Sequence, residues 1–228
     1  MKLYYTYIPD NFKIAIDDYI QYVSIERANR IKNLKFFEDK LRSLLGEFLL
    51  SYSLSADGSI DMNKVHLQFS YNSNGKPALK NFPSHHFNIS HSGKYVVCSL
   101  SDSTVGVDIE EKKDIDIYSL LNYFHPKEKE YIISDPENSK IKFFDIWTEK
   151  ESFIKFKGTG LSTPLDSFYF DSSKNLILEK DSPLDKSISI EKVFIDKNYA
   201  CSVCSEKDTP LILEEITIES LLSPYAKF

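Results

Sequence analysis

The sequence predicts an α+β fold, with strands and helices in both halves of the chain. Three observations carry that prediction. Between Lys35 and Leu54 the apolar residues Leu41, Leu44, Leu45, Phe48 and Tyr52 recur at helical spacing. Phe87-Asn-Ile-Ser and Tyr95-Val-Val-Cys-Ser-Leu read as two strands around a His91-Ser-Gly turn. A second set of elements then follows a midpoint near residue 104: a short strand, Val105-Gly-Val-Asp-Ile-Glu, and helical patterns over 126–133 and 140–157.

Taken in order, residues 3–8 form a first strand and the Lys35–Leu54 pattern an amphipathic helix. Leading into that helix is a basic stretch, Arg27, Arg30, Lys32, Lys35, Lys40 and Arg42, opposed only by Glu26, Glu38 and Asp39. Alone it reads as a solvated helix face. Tyr71-Asn-Ser-Asn-Gly-Lys-Pro is a turn by composition, with Lys76 held extended by the proline after it. From Ser167 to about Val203 the chain alternates in strand-length pieces, and the acidic end (Glu214, Glu215, Glu219) reads as a short helix or tail. There is no repeat of fixed period and no low-complexity segment.

Composition narrows the class. The 228 residues suffice for one large or two small domains, with a core that needs no disulfides. With 28 Lys+Arg against 34 Asp+Glu, the net charge of -6 argues against a protein that coats nucleic acid. The cysteines, Cys98, Cys201 and Cys204, fit a reducing compartment; the lone Cys201-x-x-Cys204 has no second pair and reads as core thiols. The first residues lack the apolar core of a signal peptide, and no run approaches the roughly 18 apolar residues of a membrane span. The expectation is a soluble cytoplasmic protein with neither nucleic acid nor membrane as partner.

Three places carry chemistry. In Gly106-Val-Asp-Ile-Glu the strand period puts Asp108 and Glu110 on one face. Paired carboxylates suit a hard divalent ion such as Mg²⁺, and equally an exposed strand face. In Phe143-Phe-Asp-Ile-Trp-Thr-Glu-Lys-Glu-Ser-Phe-Ile-Lys, the residues Phe143, Trp147 and Ile154 share a face flanked by Ile146 and Phe153. Lys150 falls inside that apolar arc, where it needs either snorkelling or an anionic partner. Glu151 and Lys155 lie one turn apart on its edge. In Asn88-Ile-Ser-His-Ser-Gly, finally, Ser90 and His91 sit at a hairpin end where an anion can meet side chains and free N–H groups.

Read together, Gly75-Lys-Pro77, Phe87-Asn-Ile-Ser-His-Ser92, Gly106-Val-Asp-Ile-Glu110, Phe124-His-Pro126 before a Lys/Glu helix, and Trp147-Thr-x-Lys150-Glu151-Ser-x-x-Lys155 followed by Lys157-Gly-x-Gly-Leu161 resemble the Sfp-type phosphopantetheinyl transferases in order and spacing. The resemblance implies two similar α/β halves in one chain, 1–104 and 105–228, related by a pseudo-twofold, with coenzyme A and Mg²⁺ in the cleft between them. It implies transfer of the phosphopantetheine arm of coenzyme A to a serine of an apo peptidyl or acyl carrier protein, releasing adenosine 3′,5′-bisphosphate. Such enzymes serve nonribosomal peptide and antibiotic biosynthesis among other pathways.

The roles follow by motif. Asp108, Glu110 and Glu151 would hold Mg²⁺. Glu151 or a water on the ion would take the serine proton, and Lys155 would meet the diphosphate. Lys76, Ser90 and His91 would bind the adenylate end and ribose phosphate, joined by Arg42. Lys150, too, is expected at coenzyme A, anchored by an anion near the cleft. The carrier is expected to dock on about residues 158–189, with Leu161, Pro164 and Leu165 as contacts, and the enzyme to be a monomer. Two other readings stand beside this one. A non-catalytic coenzyme A or carrier-binding module of the same fold would be marked by loss of an acidic ligand or of Lys155, and none is lost. A Mg²⁺-dependent nucleotide hydrolase would need a P-loop or a denser acidic cluster, and neither is present.

Overall fold

The computed structural model describes residues 1–59, 61–62, 66–171, 176–179, 182–183, 187–207 and 209–225. The chain forms two compact units, the first from Met1–Ser70, Pro77–Asp102 and Leu211–Phe228, the second from Tyr71–Lys76 and Ser103–Pro210. This division departs from a single cut after residue 104 in two places. The C-terminal segment returns to the first unit, and the turn carrying Lys76 groups with the second.

The first unit opens with β1 (Lys2–Tyr7), α1 (Ile16–Tyr19), α2 (Ile25–Asn33) and the long α3 (Phe37–Ala56). Next come β2 (Phe69–Tyr71), β3 (Pro77–Leu79), β4 (His86–Ser92) and β5 (Tyr95–Ser101). The β4–β5 hairpin pairs antiparallel, with Ser90 opposite Val97 and His91 opposite Val96, and β5 in turn pairs antiparallel with β1. The apolar stripe of α3 forms the core with the sheet: Leu41, Leu44, Leu45, Phe48 and Leu49 are all fully buried alongside Tyr4, Val96 and Cys98. Helix α2 starts at Ser24, whose Oγ accepts from the Arg27 N–H. The apolar helical spacing of Lys35–Leu54 does not extend to it.

The second unit contains β6 (Gly106–Glu111), α4 (Ile117–Leu120), α5 (Pro126–Ile133), α6 (Ser139–Lys157), β7 (Tyr169–Asp171), β8 (Leu176–Glu179), β9 (Ser182–Pro183), β10 (Ile188–Lys192) and β11 (Tyr199–Glu206). Strand β11 lies between β10 and β6, antiparallel to both, and β7, β8 and β9 make a separate small sheet. Helix α6 packs on β6 and β11, with Phe143, Phe153 and Ile154 buried. Its end follows from Gly158, which adopts φ 66° in the left-handed region that a side chain disfavours.

The chain ends with β12 (Ile212–Glu215) and α7 (Ile218–Leu222). Strand β12 runs parallel to β1, with Tyr4 opposite Glu214, which is why the C-terminal segment belongs to the first unit. Glu214 and Glu215 therefore lie in a strand, where composition had suggested a helix or tail. Among the described residues no helix is long and apolar enough to cross a membrane, and Cys98, Cys201 and Cys204 are all buried free thiols.

Candidate active site

The site in the second unit is organised by a missing side chain. A Cβ on Gly106 would lie 2.1 Å from the Ser152 carbonyl oxygen and 2.4 Å from the Phe156 nitrogen. Strand β6 therefore touches the backbone of α6, a distance only glycine permits. With the strand period of two, Asp108 and Glu110 face the same way as Gly106, toward α6, while Val107 and Ile109 are fully buried on the other face.

From α6, Lys155 Nζ donates to Asp108 Oδ1 at 2.6 Å. Asp108 is buried at 5% side-chain exposure, whereas the Lys155 side chain keeps 29%. One helical turn earlier, the Glu151 carboxyl is pushed up from the usual carboxylate range. Burial is the largest cause, followed by the negative charge of Asp108, with Glu110 adding to it and Lys155 opposing. Three carboxylates thus share one neighbourhood around one lysine. Among the described residues no three ligating side chains already converge on a single point. The two findings are compatible, because charge repulsion acts over longer distances than coordination, and Asp108 is turned to Lys155. All three donors are carboxylate oxygens, a set that suits a hard divalent cation.

Lys76 approaches the far end of α6. Its Nζ donates to the Phe156 carbonyl at 2.9 Å and to the Val105 carbonyl at 3.2 Å, and Asn72 Nδ2 donates to the Gly158 carbonyl at 2.8 Å. The turn thus satisfies carbonyls that the helix leaves open. Burial lowers the Lys76 pKa to about 8.

Lys150 differs from expectation. Its ammonium, with 1% side-chain exposure, donates to Glu128 Oε1 at 2.8 Å, to Glu128 Oε2 at 2.7 Å and to the Phe168 carbonyl at 2.6 Å. Three donors meet three acceptors, leaving no proton for a phosphate. The expected anion is thus a buried carboxylate of the same unit, and the Lys150 ammonium is directed to Glu128 and the Phe168 carbonyl. Apolar periodicity does not point to Glu128. Its signal was the capping-box spacing from His125: the Lys127 N–H donates to the His125 side chain while Glu128 Oε2 accepts the His125 N–H.

In the first unit, Arg42 donates from one nitrogen to Asp39 Oδ1 at 2.6 Å and from another to the Gly93 carbonyl at 2.8 Å. It thereby ties α3 to the turn of the β4–β5 hairpin. Ser90 lies within β4, as the strand pattern predicts, and so does His91, which the pattern places in the turn. Ser90 is buried and His91 exposed, so their side chains point to opposite faces. The basic stretch is no uniform solvated face either: Arg27 Nε pairs with buried Glu47 at 3.3 Å. In the docking segment expected over 158–189, Pro164 is exposed and Leu165 packs half-buried against the Phe153 core. The Leu161 side chain and residues 172–175, 180–181 and 184–186 lie outside the described residues.

Comparison with known proteins decides the family. Residues 104–204 match the model of the 4′-phosphopantetheinyl transferase superfamily, and residues 10–103 match the 4′-phosphopantetheinyl transferase N-terminal model. The chain is 33% identical over 216 residues to the 4′-phosphopantetheinyl transferase psf-1 of Bacillus pumilus, covering 93% of this chain and 92% of that protein. It belongs to the 4′-phosphopantetheinyl transferase superfamily. The transferase Sfp of Bacillus subtilis is 31% identical over 226 residues, covering 97% of this chain and 100% of the relative. The transferase gsp of Aneurinibacillus migulanus is 33% identical over 203 residues, covering 87% and 84%. The chain is an enzyme of this kind. The Gly-x-Asp-x-Glu strand and the Trp-x-x-Lys-Glu helix both lie within the stretch matched by the superfamily model.

Proposed function

We propose that this enzyme transfers the phosphopantetheine arm of coenzyme A to a serine of an apo peptidyl or acyl carrier protein, with Mg²⁺, and releases adenosine 3′,5′-bisphosphate. The observation that carries the reading is the apposition of β6 and α6 at Gly106, which sets Asp108 and Glu110 against Glu151 and Lys155.

In this reading Asp108, Glu110 and Glu151 hold the Mg²⁺. The ion supplies charge neutralisation on the diphosphate, which phosphoryl-group chemistry requires more than covalent help. Lys155, now on Asp108, turns its ammonium to the diphosphate and stabilises the departing oxygen. Glu151 Oε takes the proton of the incoming serine hydroxyl as its oxygen forms the bond to phosphorus. Lys76 keeps the end of α6 in place and offers its remaining N–H to the nucleotide. His91, exposed on β4, binds the adenylate end and ribose phosphate, with Arg42 fixing the hairpin that presents it, while the Ser90 side chain is buried on the opposite face of the strand.

The carrier docks along 158–189, where exposed Pro164 is the contact the described residues support best. The proposal includes two similar halves, and what supports it is that each unit sets a long helix, α3 or α6, on an antiparallel pair. A cytoplasmic monomer acting on carriers of nonribosomal peptide synthesis completes the proposal.

The test is to incubate the protein with coenzyme A, Mg²⁺ and a panel of apo carriers and to weigh each carrier. A mass gain equal to the arm, abolished by chelator and restored by Mg²⁺, supports the reading. Tight coenzyme A binding with no mass gain on any carrier would instead mark a binding module.

A further inference from the structure

The Lys150–Glu128 pair has a second consequence. Lys150 and Thr148 project about 200° apart around α6, given about 100° per residue. Thr148 Oγ1 lies 2.9 Å from Ser202 Oγ of β11, on one side of the helix. On the other side Lys150 is held by all three of its donors, and its ammonium also sits 4.1 Å from the centroid of the Phe168 ring. Glu128 is itself fixed, because its carboxylate accepts the backbone N–H groups of His125 and Phe170 as well. Two tethers on opposite sides of a helix set its rotation about its own axis. Glu151 is the residue next to Lys150, so that rotation decides where its carboxylate points.

We propose that Glu128, acting through Lys150, is a positioning residue that holds Glu151 toward Asp108 and Glu110. The proposal rests on the reading of those three carboxylates as the ion-binding set. The Glu128 carboxylate is engaged within the unit, by Lys150 and the His125 N–H, and acts by denying α6 a few degrees of rotation. A buried pair with 1% and 3% side-chain exposure adds little net stability, since desolvation offsets its attraction. Orientation is what such a pair supplies here.

The test uses the double variant Glu128→Gln/Lys150→Met, which removes both charges together and leaves the Gln carbonyl to accept the His125 and Phe170 N–H groups. Mn²⁺ binding, read by electron paramagnetic resonance at saturating coenzyme A, reports the ion site apart from turnover. The expected result is a melting temperature within a few degrees of wild type and a KM for coenzyme A within twofold. Mn²⁺ affinity should fall at least tenfold, with kcat falling alongside. Mn²⁺ affinity and kcat both within twofold of wild type would overturn the proposal. Should the double variant not fold, Glu128→Asp keeps the charge and shortens the reach; a several-fold loss of Mn²⁺ affinity is then expected, and no loss overturns the proposal. A wild type that transfers no arm overturns the proposed function, while the Mn²⁺ shift still decides the positioning role.

Discussion

Gly106→Ala is the smallest change that should separate the site's two walls. The added Cβ would meet the Ser152 oxygen at 2.1 Å and the Phe156 nitrogen at 2.4 Å, where ordinary contact begins at 3.4 Å. Both obstacles are backbone, so no side chain can swing aside, and β6 must withdraw from α6 by roughly 1 Å. Overpacking of this sort costs about 1–3 kcal/mol, which should lower the melting temperature without unfolding the protein at room temperature. The effect on function should be larger. Withdrawal lengthens the 2.6 Å Lys155–Asp108 contact and carries Asp108 and Glu110 away from Glu151, and misplacement by about 1 Å can cost on the order of 100-fold in rate. Thermal melting and a time course of carrier mass gain would be run on the same preparation. Near-wild-type transfer by a folded Gly106→Ala enzyme would refute the claim that the close approach of strand and helix builds the site.

Other outcomes follow from the same geometry. His91→Ala should weaken binding of coenzyme A far more than that of dephospho-coenzyme A, measured by calorimetry; equal losses would remove His91 from the ribose phosphate. Alkaline stability should be limited by buried thiols. Burial pushes the Cys98 pKa up to about 12 from 9, so above pH 9 the unfolded chain releases a proton that the folded chain keeps. Stability is then full below pH 9 and falls by about 1.4 kcal/mol per pH unit between 9 and 12 from this group. Denaturant melts at pH 8.5 and 10.5 should show the fall, and Cys98→Ala should lessen it; identical slopes would contradict the assignment.

Much of the site was legible in the sequence because it depends on local periodicity. Asp108 and Glu110 share a face whatever surrounds the strand, and Glu151 and Lys155 stay one turn apart on any helix. Lys150 was legible only halfway. Its place in an apolar arc announced a buried charge needing an anion, but the anion, Glu128, lies 22 residues away and is found only when α5 packs on α6. His91 was misplaced for a related reason: Ser92 and Gly93 both suit turns, and the pairing of Ser92 with Tyr95 extends β4 past the histidine. The C-terminal strand escaped notice because β12 is short and exposed along its length, with no buried alternation to reveal it. Its partner, β1, is at the other end of the chain.

The central claim is that Asp108, Glu110 and Glu151 with Lys155 carry out arm transfer. The most direct measurement compares wild type with Asp108→Ala at equal concentrations of coenzyme A, Mg²⁺ and one apo carrier, following the carrier's mass over time. Wild type is expected to convert the carrier to its arm-bearing form, and Asp108→Ala, folded by circular dichroism, to do so at least about 100-fold more slowly. Conversion by the variant at the wild-type rate would contradict the account.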